Sequence, residues 1–267
     1  MNRSILRGVA ILETLARAGR PLALKELAAA AGLNKMTVYR LMISLEAKGL
    51  VHKLSENGLI TLGPAFLFFA EAFRRNGVIR EKVLPFIQAL VDSSQETVGY
   101  TERFRADMCV TLERWESPQE TRTVSQTGIP RPLYVGSSGP AILAMLPDEE
   151  IKSILGNKKF LPYTSFTPTT QKQIWKKIDG IRRRGYAVSL KEKSLDTAGI
   201  AAPVFSCGAV VGSLAIIGPI ERMKRFGVDR LGTLVKGVAE KLSDELDYLS
   251  RSARQNRTEK IKRIVYK

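Results

Sequence analysis

Histidine and cysteine are almost missing from this chain. One histidine, His52, and two cysteines, Cys109 and Cys207, serve 267 residues. A single imidazole leaves no material for a histidine-based catalytic triad or a histidine-rich metal site. Two thiols do not build a disulfide scaffold, and neither has a CxxC partner or a neighbouring histidine. Reduced thiols in a cytoplasmic protein are therefore the expectation. No P-loop and no GxGxxG pattern opens a helix after a strand, and nothing calls for a cofactor. The carboxylates Asp148-Glu149-Glu150 stand at a helix start, where negative charge is favourable, and do not read as an acid–base pair. An enzyme is not expected. One uncharged run is long enough for a membrane span, which is the lesser alternative to a buried hairpin. The 24 uncharged residues between Asp196 and Glu221 are punctuated by Gly199, Pro203, Gly208, Gly212, Gly218 and Pro219. Ala201–Phe205 and Val210–Ile217 read instead as a buried hairpin turning at Ser206–Ala209. Glu13 interrupts the first apolar stretch, so neither a signal peptide nor a membrane partner is expected.

What remains is a folded protein with basic ends. Apolar residues make up 44 % and charged residues 25 %, ordinary for a globular chain of one large or two modest domains. The net charge is +16. Residues 1–80 carry +7, residues 251–267 carry +6, and the long middle only +3. A near-neutral body with basic ends suits a polyanion partner, most often nucleic acid, or a solubilising surface.

The first 63 residues favour a nucleic acid. Ile5, Val9, Leu12 and Leu15 recur at helical spacing, so residues 4–17 read as an amphipathic helix. A short helix over 24–31 ends at Gly32. A third spans about Asn34 to Lys48, with Asn34 as N-cap. Two strands, 50–54 and 59–62, flank Ser55-Glu56-Asn57-Gly58, and Asn-Gly between strand patterns signals a hairpin. This order is that of a winged helix-turn-helix. On the third helix Val38, Leu41, Met42 and Leu45 share one face, while Met36, Arg40, Ile43 and Ala47 point the other way. Lys35, Thr37, Tyr39 and Ser44 flank the outer face, and no acid occurs before Glu46. Such a face suits a major groove of double-stranded DNA: arginine pairs with guanine edges, threonine or methionine touches a thymine methyl, and lysine and tyrosine bond phosphates. Lys35, Met36, Thr37 and Arg40 are the expected base-reading group. Tyr39 is a base reader, a phosphate contact or a packing residue. Arg7 reaches the backbone from the first helix and Lys53 from the wing, and His52 is a structural strand residue. The competing reading of the same face is a winged helix that binds protein or RNA.

Gly63-Pro64 then opens a linker helix over 64–78, rich in Phe66, Phe68, Phe69 and Phe73. These rings pack under the first domain or bury against a second copy, and the size of the patch favours a homo-oligomer. Residues 79–250 follow as a second domain with strands at 98–104, 108–115 and 121–124. Gly136-Ser137-Ser138-Gly139-Pro140 opens a helix over 141–146, another starts at Pro147, and a basic helix covers 171–184. A strand over 186–190, the buried hairpin and a closing helix over 228–250 complete it. Helices around an antiparallel sheet make this an α+β sensor-type domain. Residues 251–267 form a basic tail, read as an extension without fixed structure in preference to a helix adding phosphate contacts.

The order of these pieces resembles the isocitrate lyase regulator (IclR) family of bacterial transcription factors. The resemblance runs from Ser4 to about Leu249. It is carried by Leu33-Asn34-Lys35-Met36-Thr37-Val38-Tyr39-Arg40-Leu41, Leu62-Gly63, Gly139-Pro140-Ala141-Ile142-Leu143-Ala144, Arg184-Gly185-Tyr186-Ala187, Ala201-Ala202-Pro203-Val204 and Gly218-Pro219. It implies a GAF-like effector-binding domain, dimers or dimers of dimers on a pseudo-palindromic operator, and a small organic acid or aromatic effector. By position, the resemblance places the effector against Tyr134, Ser137, Ser138, Gly139, Ser189, Thr197, Gly199, Ala215 and Ile217. Backbone N–H groups at a helix start suit a carboxylate, and Ser137 and Ser138 read equally as turn and cap residues. The chain departs from the family at Pro140, where lysine is usual, at Ala215 and Ile217, where some members carry hydroxyls, and at Asp196, often glycine. These departures imply a pocket more apolar than one for the smallest keto acids, or one that has lost its ligand.

Overall fold

The computed structural model describes residues 2–54, 58–75, 77–124, 126–156 and 158–265. The chain divides into two compact units, Met1–Gly77 and Val78–Lys267.

The first unit contains α1 (Arg3–Ala18), α2 (Leu24–Ala30), α3 (Lys35–Glu46), β1 (Val51–Lys53), β2 (Ile60–Leu62) and α4 (Ala65–Arg75). Asn34 caps α3: its side-chain oxygen accepts the Thr37 N–H at 2.7 Å, satisfying a donor with no partner inside the helix. Ile11, Leu15, Leu27, Val38, Met42, Val51 and Ile60 form the core. The inward stripe of α1 is Gly8, Ile11 and Leu15, which corrects the stripe expected through Ile5 and Val9. Those two are exposed, because the face turned to α3 continues backward at helical spacing through Arg7 and Ser4, about 100° per residue away from Ile5 and Val9. β1 and β2 pair antiparallel with His52 opposite Thr61. The Asn-Gly turn of that hairpin lies partly outside the described residues. Gly63 is obligatory here, since a Cβ would sit 2.1 Å from the Gly49 carbonyl oxygen. This close crossing ties the exit of α3 to the wing, and the Gly63 N–H donates to the Leu50 carbonyl at 2.9 Å. No residue of α4 is buried, and Leu67, Phe68, Phe69 and Phe73 are all exposed.

The second unit contains α5 (Val78–Ser94), β3 (Thr97–Phe104), β4 (Met108–Trp115), β5 (Arg131–Pro132), α6 (Ser138–Leu143), α7 (Asp148–Leu155), α8 (Gln171–Arg184), β6 (Ala187–Leu190), β7 (Thr197–Ser206), β8 (Ala209–Pro219), α9 (Ile220–Phe226) and α10 (Val228–Val265). Its sheet has the order β5-β4-β3-β8-β7-β6, antiparallel throughout. Helices cover both faces. Ile200, Ala202, Val204, Leu214 and Ile216 pack with α5 and α10. The alternate positions Ala201 and Ala215 pack with α6, α7 and α8. A sheet buried on both sides needs apolar residues at every strand position, which accounts for the uncharged run between Asp196 and Glu221. That run is β7 and β8 joined by a tight turn with positive φ at Cys207 and Gly208. No helix among the described residues is long and apolar enough to cross a membrane.

Three expectations are corrected. Residues 121–124 form no strand. Their carbonyls are taken by side chains instead: Thr97 Oγ1 donates to Thr123 at 2.9 Å and Arg222 to Thr121 at 3.0 Å, while β5 pairs with β4. The helix after the glycine-serine loop starts at Ser138 rather than Ala141. The closing helix does not stop near Ser250, because α10 continues through the basic tail to Val265. The short β5 and α9 were not foreseen, since neither is long enough to show a period.

Candidate functional sites in the two units

In the first unit the α3 side chains divide as the helical angle requires. Val38 and Met42 are buried, whereas Met36, Tyr39 and Ile43 are all more than half exposed. Lys35 and Arg40 also reach water, and Thr37 is half-buried at the helix edge. Ser4 and Arg7 of α1 meet Thr37, Arg40, Leu41 and Ser44 of α3 along one open cleft. The structure therefore gathers Arg7, Thr37 and Arg40, and adds Ser4 to them. Lys53 is exposed on the wing, where its N–H donates to Glu46 at 3.3 Å. Glu46, the first acid after Asn34, is thus turned toward the wing strand. The remaining exposed face of α3 is cationic or neutral, apolar in part, and rigid because it is backed by the core.

In the second unit a cavity of about 260 Å³ opens between β3, β4 and β7, the start of α6, and the loop before β7. Ser137, Ser138, Gly139, Ser189, Thr197, Gly199 and Ile217 line it. Two expected residues do not. Tyr134 packs edge-on against Phe160 at 5.0 Å, and its hydroxyl is occupied by Leu161, accepting from the N–H at 2.9 Å and donating to the carbonyl at 3.2 Å. It faces a second, smaller cavity of about 180 Å³. Ala215 lies wholly inside the sheet–helix core, and Ala198 of β7 lines the 260 Å³ cavity instead.

Ser137 is placed by a close approach. A Cβ on Gly199 would lie 2.7 Å from the Ser137 oxygen, so only glycine at 199 lets β7 pass beneath the loop. Ser137 precedes α6 but makes no side-chain cap bond, so its hydroxyl is not spent on the helix and belongs to the cavity wall. The loop is clamped from behind. Lys177 of α8 bonds Glu192 at 2.5 and 2.6 Å and the Gly136 carbonyl at 2.7 Å. The Gly136 N–H donates to Glu192 at 3.2 Å. Both side chains are only 10 % exposed. Burial pulls Lys177 down and Glu192 up from their ordinary pKa values, and their mutual contact opposes both shifts.

The sequence reading missed the cavity's chemistry on its β4–β5 side and in the loop before β7. Thr101 and Thr111 share a 3.0 Å hydroxyl contact across β3 and β4. Cys109 also lines the wall, with burial pushing its thiol up to about 11. Arg131 and Lys193 are the charged lining residues. Burial lowers the Arg131 guanidinium. Burial first, and repulsion from Arg131 second, bring the Lys193 ammonium down to about 8. Neither residue showed a period or motif. The one available signal was Arg131 held between Pro130 and Pro132, a rigid extended setting for a cation.

Comparison with known proteins gives a uniform result. Residues 4–55 match the IclR helix-turn-helix domain, and residues 73–244 match the family model described as bacterial transcriptional regulator IclR C-terminal. The HTH-type transcriptional regulator KipR of Bacillus subtilis is 30 % identical over 251 residues, covering 92 % of this chain and 98 % of that protein. Among solved structures, an IclR-family transcriptional regulator from Brucella abortus superposes with a TM-score of 0.80 at 24 % identity, covering 92 % of this chain and 93 % of that one. An IclR homologue from Microbacterium hydrocarbonoxydans, complexed with 4-hydroxybenzoate, gives a TM-score of 0.72 at 20 % identity, covering 91 % and 98 %.

Proposed function

The chain belongs to the IclR family of bacterial transcriptional regulators, and from that premise we propose how its two units divide the work. α3 lies in a major groove of operator DNA. Lys35, Met36, Thr37 and Arg40 contact base edges, while Arg7, Tyr39 and Lys53 hold phosphates. The observation that carries this is the outer face of α3, which projects Lys35, Met36, Tyr39 and Arg40 to water from a rigid support. The cavity of the second unit holds a small organic or aromatic acid, with Ser137, Ser138, Gly139, Ser189, Thr197, Gly199 and Ile217 in its wall. The 4-hydroxybenzoate complex of the Microbacterium homologue supports that ligand class. The exposed phenylalanines of α4 support a homodimer or dimer of dimers on a pseudo-palindromic site, since patches of this kind are seldom left uncovered. The protein works in the cytoplasm, as a regulator without catalysis.

A salt titration with operator duplex, scrambled duplex and RNA tests the DNA reading. Specific duplex binding should persist at salt that removes binding to the other two. Equal binding to all three, or binding to RNA alone, would leave the winged helix as a protein- or RNA-binding module. Effector and operator should each change the other's affinity by the same factor, about 1–3 kcal/mol of coupling. An acid that binds the cavity and leaves operator affinity unchanged ends the sensor reading.

A further inference from the structure

The cavity has an unbalanced charge, and the imbalance describes its ligand. This inference rests on the reading of the cavity as the effector site and deepens it. Among the described residues that line it, Arg131 and Lys193 are cationic and none is acidic. Neither cation makes an ion pair or hydrogen bond with a described residue, unlike several other cations of this unit. Lys158 is held by Asp107 at 2.6 Å, Arg182 by Asp148 at 2.8 Å and Arg103 by Glu150 at 2.7 Å. Glu192, next to Lys193 in the chain, is not available to them. Its carboxylate is already taken by Lys177 and the Gly136 N–H.

Arg131 is half-buried and Lys193 is exposed, and two positive charges lining one cavity without a counter-charge attract something negative. One negative charge leaves the other cation uncompensated. The two side chains also come from separate elements, Arg131 from β5 and Lys193 from the loop before β7, so they approach a bound molecule from different backbone anchors. The rest of the wall is mixed: Val135 and Ile217 are apolar, and Ser137 and Ser189 carry hydroxyls. A cavity of about 260 Å³ admits one ring or a short chain. We propose that the ligand of this cavity is a small dicarboxylate, with one carboxylate held by Arg131 and the other by Lys193. A monocarboxylic acid fills the same space with half the charge and binds more weakly.

Calorimetric titration of the full-length protein tests the idea, with phthalate, terephthalate and adipate against benzoate and hexanoate, and with phenyl phosphate as a dianion of different geometry. At least one dicarboxylate should bind tenfold or more tightly than benzoate and hexanoate, and more tightly than phenyl phosphate. Arg131→Met and Lys193→Met should each lower dicarboxylate affinity about tenfold or more and narrow the preference over the monoacids. Lys172→Met, an exposed cation of α8 outside the cavity, should leave both affinities unchanged. Thermal melts of each variant separate lost binding from lost folding. Benzoate or hexanoate binding as tightly as every dicarboxylate overturns the two-charge inference and leaves the effector reading standing. Preference for phenyl phosphate overturns the dicarboxylate assignment alone. Binding of none of these acids by the folded protein overturns both the inference and the effector reading.

Discussion

Both units offer positive charge, and they do so in opposite ways. In the first, Lys35 and Arg40 leave one helix for open water, where a long polyanion can lie along several of them at once. In the second, half-buried Arg131 and exposed Lys193 belong to the wall of a cavity, where desolvation lowers the pKa of both. Binding of a nucleic acid by exposed cations draws largely on released counterions, so it weakens with salt. The cavity cations share one concave wall, and they reward a ligand that matches them in number and position. Convex and cationic suits a polymer; concave and cationic suits a small anion. The two surfaces also differ in support. α3 stands on the apolar core of its unit, whereas the cavity loop at Gly136 is held by one buried ion pair, Lys177–Glu192.

That contrast can be broken at its weakest support first. Lys177→Met leaves the Glu192 carboxylate buried without its cation, and removing one partner of such a pair costs about 3–5 kcal/mol. The melting temperature of the second unit should fall sharply and acid binding should fail, while operator binding by the first unit is altered less. An unchanged melt would show that the pair does not clamp the loop. Arg40→Ala should reduce operator affinity by about 1–3 kcal/mol and relax preference at one base position, measured by fluorescence anisotropy across single-base operator variants. A uniform loss on all sequences would move Arg40 from base reader to phosphate contact.

A pH series sharpens the difference further. The titratable groups lining the cavity are Cys109, Arg131, Tyr163 and Lys193, and Lys193 is the one held near 8. It is charged below that value and neutral above it, and a bound anion favours the charged form. Acid affinity should therefore be full at pH 7 and decline by up to about tenfold per pH unit as pH rises through 8, a slope that Lys193→Met removes. A smaller effect belongs to Asn34→Ala. Losing the cap of α3 should cost the first unit about 1 kcal/mol, read as a lower midpoint in urea, with the cavity unaffected.

The legibility of the two sites differed for a local reason. Asn34 as a cap, Val38 and Met42 as core, and Met36, Tyr39 and Arg40 as the outer face all follow from residues within a dozen positions of one another. Once the helix is recognised, its angle fixes which side each takes. Gly63 could be marked as special by its motif, but the need for it, the crossing of Gly49, appears only in the folded unit. Ile5 and Val9 misled because periodicity finds an apolar stripe without saying which neighbour will cover it. In the second unit the resemblance supplied Ser137, Gly139, Ser189, Thr197, Gly199 and Ile217 as a group, yet it also supplied Tyr134 and Ala215, which the structure turns elsewhere. Arg131 and Lys193 lie on a two-residue strand and an irregular loop, and neither kind of segment carries a period.

The amino-acid order alone was enough for the winged helix, the exposed side of α3 and the buried β7–β8 hairpin, because each is decided by interactions between near neighbours and by a repeating pattern. Only the tertiary structure decided which cations share a cavity, which acid is already consumed by Lys177, and which face of α1 is covered. Those outcomes depend on distances between segments remote in the chain, and electrostatic energy is set by such distances rather than by sequence separation.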